Sequence, residues 1–348
     1  MSITFLDFLS KLITVPHFWV ITVLVTGVMF VNGCTDAPNS IATCISTRCL
    51  TPNKALTISV IFNFLGILIM TFINTTVAQT IFNIADFGDN THYALIALCA
   101  ALSAIVCWSI MAWALGVPTS ESHALIAGLT GASIAIRKGI SGINFGEWQK
   151  VIYGLIVVNI LGFVSGLLIT KFIEKICKNQ DRRKANKFFH KLQIVGAASM
   201  SFMNGAQGGQ KFMGVFLLGA MLATGSTERF SIPIWLAIYC AIFTAAGAII
   251  GGKKIIKTVG MKMVKLEKYQ GASADIASTC CLLGASLVGI PLSTTHVKTT
   301  AIMGVGASRG LARVNWNVAR SMVLTWIFAF PGCGLLGYLV TNLLIHVF

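Results

Sequence analysis

The sequence predicts an all-α integral membrane protein, a polytopic helical bundle of two inverted repeats with about 10–12 membrane segments, broken helices and re-entrant hairpins. Three observations predict it. The 348 residues are 55% hydrophobic and 11% charged, where soluble domains carry about 25% charged residues. Such a chain cannot coat itself with a water-compatible surface. Six charge-free runs are each long enough to cross about 30 Å of hydrocarbon, which takes about 20 helical residues. Finally, two polar motifs recur at nearly one spacing, as they do when half a chain has been duplicated.

The runs, in order, are Ala55 to Ala85, Tyr93 to Ser120, Val151 to Thr170, Phe230 to Gly252, Ile276 to Val297 and Ser321 to Phe348. They are continuous rather than alternating, which selects helices over a barrel. Net charge +15 might suggest a nucleic-acid partner, but its placement argues against one. Eight Lys and Arg lie between Lys171 and Lys191, and six Lys between Lys253 and Lys268. Basic residues gathered in short links between apolar runs mark cytoplasmic loops. The ten cysteines sit mostly inside apolar runs without a Cys-x-x-Cys pair, and read as small core residues.

The first motif pair is Asn32 to Asn39 and Asn204 to Lys211, 172 residues apart; the second is Pro118 to His123 and Pro291 to His296, 173 apart. The chain therefore divides into a first repeat over 1–170, a basic cytoplasmic linker over 171–191 and a second repeat over 192–348. The acidic link around Asp86 and Asp89 corresponds to the basic region of Lys257 to Lys262. Equivalent loops on opposite faces require inverted repeats. Arg137 and Lys138 match Arg309 and Arg313, basic in both halves, which leaves the path after each His open.

Gly33 and Pro38 in the first repeat, and three glycines between Met203 and Gln210 in the second, predict interrupted helices, because Pro removes a backbone donor and Gly weakens the helix. Unpaired backbone at membrane depth survives where it lines a cavity. The Pro-x-Ser-x-x-His segments read as hairpin tips with hydroxyl N-caps. Two helix N-termini aimed at the midplane would make an anion site.

These residues resemble the inorganic phosphate transporter (PiT) family, whose halves each carry a Gly-Ala-Asn-Asp-type and a Pro-x-Ser-x-x-His-type signature. Gly33 to Asn39 is similar to the first signature, with Thr35 at the family's Asn position and Asp36 at its acid. Gly205 to Lys211 is similar in the second half, with Gln207 at the Asn position and Gly208 where the family has its second Asp. Gly271 to Ser278, with Asp275 at its centre, resembles a further family segment. The resemblance implies a multi-pass protein of the cytoplasmic membrane, a homodimer in lipid, that carries inorganic phosphate by symport with Na⁺ or H⁺. It implies no other cofactor and no enzyme activity. Sulfate or another oxyanion is the alternative cargo, and a membrane-embedded Ser/His hydrolase the alternative class.

Candidate phosphate ligands are Thr35, Ser120, Ser122, Gln207, Ser293, Thr294 and Thr295, whose hydroxyls could instead simply cap helices. Candidate cation ligands are Asp36, Asn39, Gln210 and Asp275. A charge at the end of an apolar run costs at least about 2.5 kcal/mol, which argues against an unpaired structural role for Asp36. The amides of Asn39 and Gln210 either join that cation or hold the broken backbone. Asp275 reads equally as ion relay or interfacial cap. His123 and His296 are expected to hydrogen-bond the tips, since no carboxylate stands at equivalent places to complete a triad. Lys211 and Lys298 are open between phosphate partner and interfacial residue, and Glu121 would repel an anion unless paired.

Overall fold

The computed structural model describes residues 4–88, 90–115, 120–224, 231–262 and 266–347, with side chains at 115, 252–262 and 318 left undescribed. Asp89, Pro118 and Thr119 lie outside the described residues, and the side chains of Lys257 and Lys262 are among those undescribed. Among the described residues thirteen α-helices follow one another: α1 (Phe5–Thr14), α2 (Pro16–Thr35), α3 (Ala37–Ser46), α4 (Pro52–Ile73), α5 (Thr76–Phe82), α6 (Thr91–Leu115), α7 (Glu121–Arg137), α8 (Phe145–Cys177), α9 (Arg182–Thr224), α10 (Ile234–Lys262), α11 (Lys268–Val288), α12 (Thr294–Ala307) and α13 (Trp316–Val347). Among the described residues, seven helical stretches are long and apolar enough to cross a membrane. The 172–173 offset pairs α2–α3 with α9, α6 with α11, α7 with α12 and α8 with α13.

Contacts fix the repeats as inverted. Along α2–α3, Asn32 lies beside Gly208 and Ser40 hydrogen-bonds Ser201 at 2.7 Å, while Ile21 lies beside Gly219, so α9 runs antiparallel to its own sequence equivalent. The two elements cross near Cys34 and Ala206, which are themselves equivalent positions. The halves are also interlaced: α4 packs along α9 as α10 packs along α2, and α7 packs along α13 as α12 packs along α8. Backbones touch at these seams. A Cβ on Gly66 would strike the Phe202 carbonyl, and one on Gly247 the Phe30 carbonyl, the close approach that small residues give membrane helices. The equivalent helices α8 and α13 present Ile156, Ile160, Leu335, Leu339 and Leu343 outward, an apolar surface suited to lipid.

Ion pairs settle the path after each His. Arg137 at the end of α7 pairs with Asp86 just before α6, and Arg309 past the end of α12 pairs with Glu267 just before α11 at 2.9 Å. Each helix pair therefore enters and leaves on the same face, which makes α6–α7 and α11–α12 re-entrant hairpins with buried tips. The basic residues common to both halves are thus matched by acids at each hairpin's own mouth.

One expectation is corrected. The second-repeat signature does not interrupt its helix, for α9 passes unbroken through Asn204 to Gly209. Each Gly costs about 1 kcal/mol of propensity but keeps its N–H donor; of the two signatures only the first contains a proline, Pro38, and only there does the helix divide, at Asp36. The basic segment over 171–191 takes in the end of α8, which runs to Cys177, and the start of α9 at Arg182.

Replacing Gly247 by Val should force α10 off the Phe30 carbonyl and cost about 1–3 kcal/mol by overpacking. Gly284 of α11 has nothing within 4 Å of its added Cβ, so Gly284→Ala should leave stability unchanged or raise it slightly. Thermal unfolding in detergent compares the two; equal losses would refute the close-packed seam.

Candidate functional site

The two hairpin tips meet at the crossing of α2–α3 with α9. Ser120 caps α7 by accepting the His123 N–H at 3.2 Å, and Ser293 caps α12 by accepting the His296 N–H at 3.4 Å. These are the N-caps that the Pro-x-Ser-x-x-His pattern anticipates. Ser122 donates to the Leu292 carbonyl of the opposite tip at 3.1 Å, and the His123 and His296 rings stand edge to face at 4.4 Å.

At one tip a carboxylate bridges the repeats. Asp36, at the division between α2 and α3, accepts from Thr295 Oγ1 at 2.8 Å and from Asn32 Nδ2 at 3.0 Å. Asn39 Nδ2 donates to the same Thr295 hydroxyl at 2.9 Å, which leaves Asn39 Oδ1 buried with no hydrogen-bond partner. An orphaned acceptor beside a carboxylate and a hydroxyl is a donor set suited to a hard cation. Thr294, first residue of α12, is buried next to Thr295.

At the other tip stands an ammonium. Lys211 of α9, buried, donates to Ser122 Oγ at 2.6 Å and to the Leu292 carbonyl. Gln207, one turn earlier, accepts from the Leu292 N–H at 3.1 Å and donates to Ser286 Oγ at 2.8 Å and the Ile290 carbonyl at 3.3 Å, so it stitches α9 to the second hairpin. A cation, hydroxyls and two helix N-termini converging in a dry site favour an anion. Thr35 donates toward Glu121 Oε1 at 3.2 Å, and Ser109 donates to the other carboxylate oxygen. Glu121 therefore faces hydroxyls, apart from Lys211.

Not every sequence candidate gathers here. The Gln210 amide donates to the Asn74 and Met70 carbonyls at the end of α4. Asp275 belongs to a separate buried cluster with Lys298, Thr43 and Gln193. Sequence reasoning left Lys211 undecided and passed over Asn32 as a ligand of Asp36; the i,i+4 spacing of Asn32 and Asp36 was the available signal. The histidines differ from expectation in their contacts. His296 stacks on Trp326 at 3.6 Å and His123 on Phe330 at 4.3 Å, and neither nitrogen of His296 has a hydrogen-bond partner. The His296 ring therefore packs its tip without bonding it, whereas His123 both stacks and hydrogen-bonds the Trp326 backbone of α13.

A bundle of two inverted repeats, with hairpin tips enclosing a charged site at the crossing of its central helices, defines a multi-pass membrane transporter. The profile of the phosphate transporter family matches residues 32–337, and the chain belongs to that family. It is 36% identical over 318 residues to a probable low-affinity inorganic phosphate transporter of Bacillus subtilis (strain 168), covering 90% of this chain and 94% of that one. A protein of the same description from Rhizobium meliloti (strain 1021) is 37% identical over 311 residues, covering 89% and 91%. A solved structure described as the sodium-dependent phosphate transporter shares the fold with TM-score 0.86 and 23% identity, over 96% of this chain and all of that one. These relatives are transporters, not enzymes.

If the two histidines act by packing, His123→Phe and His296→Phe should each keep phosphate uptake into proteoliposomes within about threefold, since aromatic replacement conserves the stacked volume. Loss of uptake in a folded Phe variant would show that a ring nitrogen takes part.

Proposed function

We propose that the chain moves inorganic phosphate across the cytoplasmic membrane by symport with a cation, Na⁺ or H⁺. One observation carries the reading: the two hairpin tips, drawn from opposite repeats, close on a site with a carboxylate at one tip and an ammonium at the other. Phosphate would take hydrogen bonds from Ser122, Thr294, Thr295 and the first-turn amides of α7 and α12, with Lys211 as counter-charge and Thr35, Ser120, Gln207 and Ser293 holding the tips in place. The cation would be held by Asp36, Asn39 Oδ1 and the Thr295 hydroxyl. Thr295 touches both ligand sets, so cation and anion would order the same hairpin tip.

Coupling follows from charge. Importing one net negative charge against an inside-negative potential costs about 2.3 kcal/mol per 100 mV, and a divalent phosphate doubles it. Two monovalent cations reverse the sign for a monovalent phosphate and cancel it for a divalent one, for which three reverse it. The end of the bundle carrying Lys178, Arg182 and Lys268 is the cytoplasmic one in this reading, by the density of basic residues there.

The tests use radiolabelled phosphate uptake into proteoliposomes under imposed Na⁺ and pH gradients, competed with sulfate. Asp36→Asn should abolish cation-driven uptake, because an amide keeps the shape without the charge that offsets cation desolvation. Lys211→Met should weaken phosphate binding about ten- to a hundredfold, the worth of a charge-assisted bond. Unchanged Na⁺ and pH responses in Asp36→Asn would remove it from coupling. Gly208→Asp restores the family's second acid. Its added Cβ meets only Asn32 Oδ1, at 3.2 Å, a side chain that can move, so the variant should fold and show a steeper dependence on the coupling cation.

A further inference from the structure

The seal between this site and one face of the protein is a single layer with a buried ion pair in it. Lys298 Nζ pairs with Asp275 Oδ1, both side chains fully buried. Thr43 Oγ1 lies 2.8 Å from Asp275 Oδ1 and accepts from Lys298 at 3.2 Å, and Gln193 Nε2 donates to Asp275 Oδ2 at 2.8 Å. Gln193 Oε1 is buried without a partner.

The helix registers place the layer. On α3, Asn39 belongs to the site, Thr43 to the ion-pair layer one turn on, and Thr47 one turn further lines an open cavity of about 740 Å³. On α12, Thr294 and Thr295 are one turn from Lys298; on α9, Gln193 is one turn from Phe189, which also lines the cavity. Lys178, Arg182, Lys268 and Arg309 give that cavity more positive than negative charge, against Glu174 and Glu267. A basic vestibule thus leads to the ion pair, and the ion pair leads to the site.

The opposite end is built differently. Gln193 and Thr43 correspond to Ile21 and Val215 at offset 172, and Asp275 and Lys298 to Leu102 and Leu125 at 173. The register is the right one for α11, since Gly271 packs on Gln193 while Leu98, 173 residues earlier, sits with Ile21 around Gly219. All four equivalents are buried together in the main apolar core. One pseudo-symmetric layer is hydrocarbon and its partner is a neutral, fully buried charge pair.

We propose that Asp275 and Lys298 form the gate between the transport site and the basic vestibule, and that cargo crosses it by exchanging partners with the pair. This rests on the reading of the site given above. An oxyanion takes the place of Asp275 on Lys298, and the coupled cation takes the place of Lys298 among Asp275, Thr43 Oγ1 and Gln193 Oε1. Neither charge is left unpaired in the low-dielectric layer, where an uncompensated ion is strongly disfavoured. Lys298 is thereby a second, transient oxyanion station on the pathway.

The exchange predicts an effect that a merely structural ion pair would not produce. Asp275→Asn frees the ammonium, so the purified protein should bind radiolabelled phosphate about tenfold more tightly while turnover in proteoliposomes falls, the anion being held at Lys298. Asp275→Asn with Lys298→Gln should lose the added affinity, bind phosphate within about twofold of the unsubstituted protein, and still turn over slowly. A single-variant affinity no greater than that of the unsubstituted protein, or a double variant at full turnover, overturns the proposal. The intact pair is probed separately by Thr43→Cys in a chain freed of its ten cysteines. An impermeant thiol reagent admitted from the vestibule side should modify it at least about tenfold faster when phosphate and the coupling cation together drive turnover than when both are absent; equal rates overturn the gate. Failure of the unsubstituted protein to bind phosphate would instead overturn the site, and is read independently of these variants.

Discussion

The antiparallel crossing of α2–α3 with α9 is the contact on which the rest of the molecule depends. Hydrocarbon offers no hydrogen bonds, so every polar group brought to mid-membrane needs a partner within the protein. At the crossing Ser40 and Ser201 bond each other, and each crossing element presents polar groups to the tips: Asp36 to Thr295 from one, Gln207 and Lys211 to the Leu292 segment from the other. Without it Asp36 and Lys211 would not be held where Thr295, Ser122 and the Leu292 carbonyl reach them. The close helix seams hold the crossing at a spacing where these short bonds can form.

Much of this architecture was legible in the sequence, and for definite reasons. Hydrophobic runs reveal helices because the bilayer demands about 20 apolar residues in a row. The repeats showed because Asn32 and Asn204, or His123 and His296, are conspicuous in an apolar background. Asp36 was legible because a lone acid there is expensive. What escaped notice depends on contacts between residues far apart in the chain. Nothing local distinguishes Gln210, whose amide bonds carbonyls at the end of α4, from Asn39, whose amide bonds Thr295 beside Asp36; each keeps an unpartnered oxygen, and only tertiary contacts say which one lies at the site. The unbroken course of α9 through three glycines likewise follows from burial and packing on α4, which override propensity.

The symmetry is one of backbone more than of chemistry. The repeats superimpose their helices, seams and capped tips, yet one signature keeps its acid at Asp36 while the other has Gly208, and one tip carries Glu121 where the other has Thr294. A transporter requires two end states of nearly equal free energy, which an inverted duplication provides geometrically. Unequal side chains then bias which state is preferred and which ligand stabilises it.

The interlacing of the halves bears on how the chain is made. The Gly128 and Gly131 face of α7 is completed by Gly337 and Gly334 of α13, a helix made about 200 residues after α7. Until α12 is made Asp36 lacks Thr295, and until α13 is made the first hairpin is unclasped. Neither half is a folding unit, so assembly is a late, concerted event. The nascent protein must be shielded from lipid-phase misassembly until α12 and α13 have been made, and fragments lacking them should be prey to membrane quality control.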